Sequence, residues 1–339
     1  MKAAVFYGPR DIKTEEVQIP EIGDNEILLK VKACGICGSD LHMYKLGLFG
    51  DILCRPLERG GIPGHEISGE VVKVGSQVQE VNEGDRVAAV GNGGMSEYAP
   101  ITVFKGFNVV KLPPEVSYEE GATLEPLANS LHATLKGNPK EGENAVVFGA
   151  GIIGLGVVQC LKALDVKLNK LIVVDVSETR LKWARELGAD EVINAAEGET
   201  YERISDLAGT APIMFHSVEQ TPLVDIIYDC VGYVRDRPEP QVIQQALNLA
   251  RDFTGRVVVH GIFEENVSLD LLPMVLKQVS VLGSYGFMPP EPEQAMEMIR
   301  SKAVDRKKLI THEFSLDQAK EAFETQCKVN ESVKVLIKP

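Results

Sequence analysis

The sequence predicts an α/β protein of two domains, one β-rich and one a doubly wound parallel sheet. Three observations carry that prediction. The chain has 339 residues, more than one core usually accommodates, and its 44% apolar content suffices for two. Up to about residue 112 it consists of short apolar runs punctuated by Gly and Pro. From about 127 to 286 strand-like runs alternate with helical patterns, and after 287 the pattern is mixed again.

In the first region the runs are "KAAVFY", "EILLKVKAC", "HEISGEVVKVG", "DRVAAV" and "VVKLP". Short alternating segments between turn residues make a compact β-rich domain. In the second, the strand candidates are "NAVVFG", "KLIVVD", "DEVIN", "VDIIYDCVG", "GRVVVHG" and "VSVLGSYG". Helical patterns separate them at 152–164, 178–188, 199–208 and 240–251. Strands that alternate with helices pair in parallel through crossover connections. In the tail, "SLDQAKEAFE" places Ser315 and Gln318 as a capping box ahead of a helix. The tail is expected to fold back onto the first domain.

Composition narrows the partners. A formal net charge of −14 disfavours nucleic acid and anionic membranes, which leaves a small molecule as the expected ligand. The most apolar stretch, "AVVFGAGIIGLGVVQCLKAL", holds four glycines, Gln159 and Lys162, so it reads as strand, turn and buried helix rather than a bilayer span. The N-terminus "MKAAVFYGPRD" lacks the apolar core of a signal peptide. Six scattered cysteines (34, 37, 54, 160, 230 and 327) do not resemble a disulfide framework, and a reducing cytoplasm is the expected location.

Two motifs carry chemistry. In "VVFGAGIIGLG", Gly149, Gly151 and Gly154 form G-x-G-x-x-G between a strand and a helix, with Ile152 and Ile153 filling the gap. The first glycine permits the tight turn, the second lets a pyrophosphate approach the backbone, and the third lets helix and strand pack closely. The helix N-terminus then offers free N–H groups to the anion. Asp175 ends the next strand, 21 positions beyond Gly154. Its carboxylate can accept from ribose hydroxyls and repel a 2′-phosphate, and no basic residue follows before Arg180. The expected cofactor is NAD, held by Gly149, Gly151, Ile152, Ile153, Gly154, Asp175 and Arg180.

The second motif, "KACGICGSDLH", places Cys34 and Cys37 three apart, a spacing open to a redox pair, half a zinc finger or one corner of a catalytic metal site. "GIPGHEISGE" adds His65 and Glu66, and "GATLEPLANSLHA" adds Glu125 and His132. Cys37 and His65 lie 28 positions apart, too far for a zinc-finger hairpin, and no second C-x-x-C exists. A thiolate, an imidazole and a carboxylate suit a zinc site with one open position. On spacing alone, a hydrogen-bonded structural histidine and a core cysteine are the commoner readings.

The segments "GICGSDLH", "GHEISGEVVKVG", "EGDRVA", "LEPLANSLHA", "VFGAGIIGLG" and "THEFSLDQAKEAFE" occur in the order seen in zinc-dependent medium-chain dehydrogenases. Over essentially its whole length the chain resembles their polyol branch, which includes sorbitol, 2,3-butanediol and threonine dehydrogenases. That resemblance implies a GroES-like catalytic domain at 1–126 and 287–339 and a Rossmann NAD-binding domain at 127–286. It implies Cys37 and His65 as zinc ligands, with Glu66 or Glu125 as the third, and Cys34 as a non-ligand. Ser39 matches the hydroxyl that hydrogen-bonds the substrate oxygen and His42 the outer member of a proton relay, so Ser39, His42 and Glu66 are the expected catalytic residues. Lys334 matches a basic position that can touch the cofactor pyrophosphate. The implied reaction interconverts a secondary alcohol and its ketone. Zinc lowers the alcohol's pKa, an alkoxide forms, and hydride moves to the nicotinamide. A homodimer or homotetramer is implied as well.

The chain also departs from that pattern. No Cys lies between Cys54 and Cys160, so "GDRVAAVGNGGMSEYAP" lacks the four-cysteine lobe that binds a structural zinc in most members, and one zinc per chain is expected. Between the ligand motifs, "YKLGLFGDILCRPLERGG" carries Lys45, Arg55 and Arg59, a possible clamp for a sugar acid or hydroxy amino acid, or only a solvated loop. Cys54 has no supporting motif, and His132, His216, His260 and His312 are expected to be structural. Two alternatives stand: a zinc-free NAD(P)H enone or quinone reductase, and a non-enzymatic nucleotide-binding protein. A C-x-x-C thiol oxidoreductase would need Cys34 as well as Cys37.

Overall fold

The computed structural model of the chain describes residues 1–213, 216–233, 235 and 240–339, with the side chains of 216–219 excepted, so the His216 side chain lies outside the described residues. The chain forms two compact units, Met1–Ala128 with Met288–Pro339, and Asn129–Phe287.

The first unit is organised by the strand Glu26–Gly35. Its burial pattern is nearly continuous because apolar Ile27, Leu29 and Val31 face a core shared with Ile67, Val71, Val87, Phe323 and Ile337. It pairs antiparallel with Glu66–Val74, in a register that sets Gly35 opposite Glu66. On its other side it pairs with Lys334–Lys338, which sets Leu336 opposite Gly35. The end of one strand is thus flanked by two segments that are far apart in sequence. A Cβ at Gly35 would fall 2.0 Å from Glu66 Oε2, so only glycine permits this approach. A second sheet runs in the order Asp11–Glu16, Lys2–Gly8, Gly61–Ile62, Arg55–Pro56. Ser315 and Gln318 make the expected capping box, followed by the helix Ala319–Gln326.

The second unit contains six parallel strands in the order Glu191–Asn194, Lys170–Asp175, Asn144–Phe148, Ile226–Asp229, Arg256–Val259, Ser280–Gly283. The strand Asn144–Phe148 is buried at every position, as a parallel strand covered on both faces must be. The chain starts mid-sheet, winds to one side and then to the other. The direction changes between Asn144–Phe148 and Ile226–Asp229, which opens a crevice at their C-terminal ends. This is the doubly wound sheet that the alternation predicts. The helices Ile152–Ala163, Glu178–Glu186, Thr200–Ala208 and Val242–Leu249 fall within the predicted spans. An antiparallel pair, Thr210–Ile213 with His216–Pro222, and a short helix, Leu272–Lys277, are additions. No helix among the described residues is long and apolar enough to cross a membrane.

Candidate active site

Local structure brings three residues together in the first unit. Cys37 caps the helix Gly38–Leu46, two residues beyond the strand that ends at Gly35. His65 and Glu66 enter the neighbouring strand, and the Gly35–Glu66 register carries them to Cys37. One ligand atom from each of Cys37, His65 and Glu66 lies within 4.8 Å of the others. Zn–ligand bonds of about 2.0–2.3 Å draw ligand atoms closer together than that limit, so a small inward turn of the three side chains would gather them around a single ion. Cys37 is half-buried, while His65 and Glu66 are buried.

The surroundings are anionic. Asp40 is fully buried and accepts a hydrogen bond from the Cys37 backbone N–H at 2.9 Å. Its Oδ1 lies 3.8 Å from His65 Nδ1, and neither atom has a hydrogen-bond partner among the described residues. Burial pushes the His65 imidazole toward its neutral form, but Asp40, Cys37 and Glu125 outweigh it and raise the pKa well above the usual value. Burial also raises the Asp40 carboxyl. A thiol, two buried carboxyl groups and an imidazole that attracts positive charge fit a divalent cation. Asp40 can turn Nδ1–H toward itself and leave Nε2 to face an ion, the usual outer support of a metal-binding histidine. The sequence reading missed Asp40. The available signal was its place three residues after Cys37, where it closes a capping box.

Lys334 requires a correction. It was expected to touch a pyrophosphate, yet it is fully buried in the first unit. Its Nζ donates to Glu66 at 2.6 and 2.8 Å and to the Ile36 carbonyl at 2.8 Å. All three donors of the ammonium are used, so none remains for a phosphate. The cause is the pairing of Lys334–Lys338 with the end of Glu26–Gly35, which seats Lys334 beside Glu66. Glu125, half-buried on the helix Leu124–Gly137, lies near enough to influence His65 but is not part of the trio. Ser39 and His42 are half-buried on the first turns of the helix Gly38–Leu46 and, three apart, share a face.

Cys34 is free and fully buried, and burial holds its thiol well above the usual pKa. That burial favours the neutral thiol over the thiolate that redox exchange requires. Cys54 packs against Met43 with its Sγ 3.3 Å from the thioether, and burial pushes its pKa up to about 12. It lies outside the trio.

The glycine motif lies in the second unit. Gly149 adopts φ +91°, and a Cβ at Gly154 would fall 1.7 Å from the Gly149 carbonyl oxygen, so both positions demand glycine. Gly151 caps the helix Ile152–Ala163, with Ile152 and Ile153 half-exposed in its first turn. Asp175 is tied to this turn: its Oδ2 accepts from Ala150 N–H at 2.6 Å and its Oδ1 from Ser177 N–H at 2.8 Å. Arg180 Nη1 lies 3.9 Å from the position of a Cβ at Gly151, with Asp175 opposing the effect of burial on the guanidinium. The cradle, the helix N-terminus and the strand-end acid fit a dinucleotide. His260 is held neutral, its pKa lowered to about 4 by burial and then by His132, with Nδ1 3.2 Å from Ser284 Oγ.

Comparison with known proteins agrees with both units. Residues 23–114 match the alcohol dehydrogenase GroES-like domain and residues 153–301 the zinc-binding dehydrogenase family. The chain is 33% identical to sorbitol dehydrogenase of Bos taurus over 364 residues, covering 98% of this chain and 95% of that protein. It is 33% identical to sorbitol dehydrogenase of Bombyx mori over 366 residues, covering 99% and 97%. Among solved structures, 2R,3R-butanediol dehydrogenase from Bacillus subtilis superposes with a TM-score of 0.81 at 30% identity, covering 100% of this chain and 99% of that one. With a GroES-like unit, a Rossmann-like unit and a Cys–His–Glu cluster in one chain, the protein belongs to the zinc-binding dehydrogenases of the alcohol dehydrogenase superfamily, in the branch of the polyol dehydrogenases, and is an NAD(H)-dependent oxidoreductase.

Proposed function

We propose that the chain interconverts a secondary alcohol of a small polyol or hydroxy acid with its ketone, using NAD and one zinc per chain. The observation that carries this reading is the trio of half-buried Cys37 with buried His65 and Glu66, with Asp40 set against His65. Zinc, when bound, supplies Lewis acidity that lowers an alcohol's pKa by several units, and the nicotinamide accepts hydride. Cys37, His65 and Glu66 hold the cation, and we take Glu66 rather than Glu125 as the third ligand. Asp40 orients His65. Ser39 accepts the alcohol proton and His42, on the same helical face, passes it to solvent. In the second unit, Gly149, Gly151, Ile152, Ile153 and Gly154 receive the pyrophosphate, and Asp175 and Arg180 frame the adenosine end.

Asp175 supports NAD over NADP, since a carboxylate accepts from ribose hydroxyls and repels a phosphate. Asp175→Ala is expected to lower kcat/KM for NAD by about 10- to 100-fold, the loss of a hydrogen bond to a charged group. The NAD-to-NADP ratio should shrink with it. Equal use of both cofactors by the unaltered enzyme would sink this assignment.

We further infer a homodimer or homotetramer in a reducing cytoplasm, acting on small molecules rather than nucleic acids or membranes. Six free cysteines support the compartment. The edge strand Ser280–Gly283 exposes Val281, and Leu272, Val275 and Tyr285 are exposed near it in sequence, a surface suited to a second copy. Native mass spectrometry of protein purified without added metal tests assembly and metal together. Two or four chains with about one zinc each are expected. A chain that takes up no zinc even on reconstitution would overturn the metal assignment and favour the zinc-free reductase.

A further inference from the structure

We propose that Arg55 selects an acidic substrate, its guanidinium receiving a carboxylate or phosphate on the alcohol that is oxidised at Cys37, His65 and Glu66. The proposal rests on the dehydrogenase reading above and names its substrate class.

A guanidinium carries five donors and no acceptor, so an enclosed one is normally matched by carbonyls or carboxylates. Two other arginines follow this rule, while the buried Arg306 leaves only its Nη2 unmatched among the described residues. Arg86 donates to the carbonyls of Pro113 and Val116, and Arg256 donates to Glu143 and the Gly137 carbonyl. Arg55 breaks it. Its Nε and Nη2 are turned away from solvent and have no hydrogen-bond partner among the described residues. Burial lowers its pKa, with no opposing carboxylate among the described residues. The two unmatched donors lie on one edge of the guanidinium plane, the edge that receives two oxygens of one carboxylate or phosphate.

The fold sets this group at the His65 end of the first unit. Arg55 pairs with Ile62, three residues before His65. Its side chain lies along Gly93, with Cβ, Cδ and Nε 3.2, 3.3 and 3.4 Å from where a Cβ at Gly93 would stand. The next two residues are bonded to the approach to His65: Gly94 N–H donates to the Gly64 carbonyl at 2.9 Å and Met95 N–H to Pro63 at 3.0 Å. One turn therefore supports both the arginine and the histidine loop. The other cations of this segment differ. Lys45 and Arg59 are exposed, Lys45 facing Cys327 and Arg59 near Tyr7. Three positive charges look equivalent in the sequence, but only Arg55 presents enclosed donors without acceptors.

The test compares matched alcohols on the zinc-loaded enzyme with NAD: sorbitol, gluconate as the carboxylate and sorbitol 6-phosphate as the phosphate ester. The readout is the ratio of kcat/KM for each acid to that for sorbitol. At least one ratio is expected to exceed ten and to fall about 30- to 100-fold in Arg55→Gln, carried by KM, as loss of a bidentate charged pair requires. Arg55→Lys, which keeps the charge without the fork, should fall between. Arg59→Gln should leave the ratio unchanged. Which acid responds separates carboxylate from phosphate recognition. A ratio unaltered by Arg55→Gln, or a preference for sorbitol, overturns the proposal, because a merely structural arginine would lower all three substrates together. Calorimetric binding of gluconate and of inorganic phosphate to the zinc protein without NAD separates the two readings. Anion binding that Arg55→Gln abolishes, without turnover of any alcohol, refutes the dehydrogenase reading and keeps the anion site. Turnover of sorbitol with neither anion bound does the reverse.

Discussion

Cys37→Ser is expected to strip zinc from the protein and remove its activity, whereas Cys34→Ser keeps both. Among the described residues, Cys37, His65 and Glu66 form the one cluster that could hold an ion, and Cys37 is its sole thiol. A serine hydroxyl is not a thiolate at neutral pH and offers a poor ligand to zinc. Loss of an outer partner of a metal ligand costs about 10- to 100-fold in affinity, so loss of the ligand itself should cost more. Cys34, one strand residue from Gly35, is enclosed by the core and holds a neutral thiol. Its replacement disturbs packing and leaves the trio intact. Zinc per chain after dialysis, read beside kcat/KM, distinguishes the two variants. Equal loss of activity in both, with zinc retained, would restore the thiol oxidoreductase.

Lys334→Met should be the most destabilising substitution around the site, by about 3–5 kcal/mol in metal-free protein. It removes the ammonium that donates to both oxygens of Glu66 and leaves a fully buried carboxylate without that counter-charge. Adding Glu66→Gln should recover much of the loss, because an amide needs no counter-ion. Zinc should also reduce the penalty, since the cation then faces the same carboxylate. Thermal melting of the single and double variants with and without zinc measures each term. If Lys334→Met melted normally and only weakened cofactor binding, the pyrophosphate role would return.

These two sites show what a sequence conveys and what it withholds. The parallel strands were legible because strands covered on both faces are continuous apolar runs, as "NAVVF" is. The glycine turn was legible because steric demands at Gly149 and Gly154 leave one residue type. Cys37 and His65 were nameable only through their motifs, since their approach depends on the strand register that joins Gly35 to Glu66. Lys334 was misread for the same reason: its partner lies 268 positions away and is reached only through strand pairing. The antiparallel pair Thr210–Ile213 and His216–Pro222 was not announced by any Gly or Asn in the sequence between its strands. Asp40 looked like an ordinary helix-capping acid, and Arg55 like one of three loop cations.

The pairing of Glu66 with Lys334 also orders events on the ribosome. Between these residues lies the whole of the second unit, Asn129–Phe287. At about 5–20 residues per second, the growing chain carries Glu66 for on the order of tens of seconds before Lys334 exists. Through that interval the strand Glu26–Gly35 lacks one neighbour and the carboxylate lacks its lysine. The second unit has all its strands before then and can fold as it emerges. Of the two units, the one whose synthesis starts earlier is therefore the one completed later.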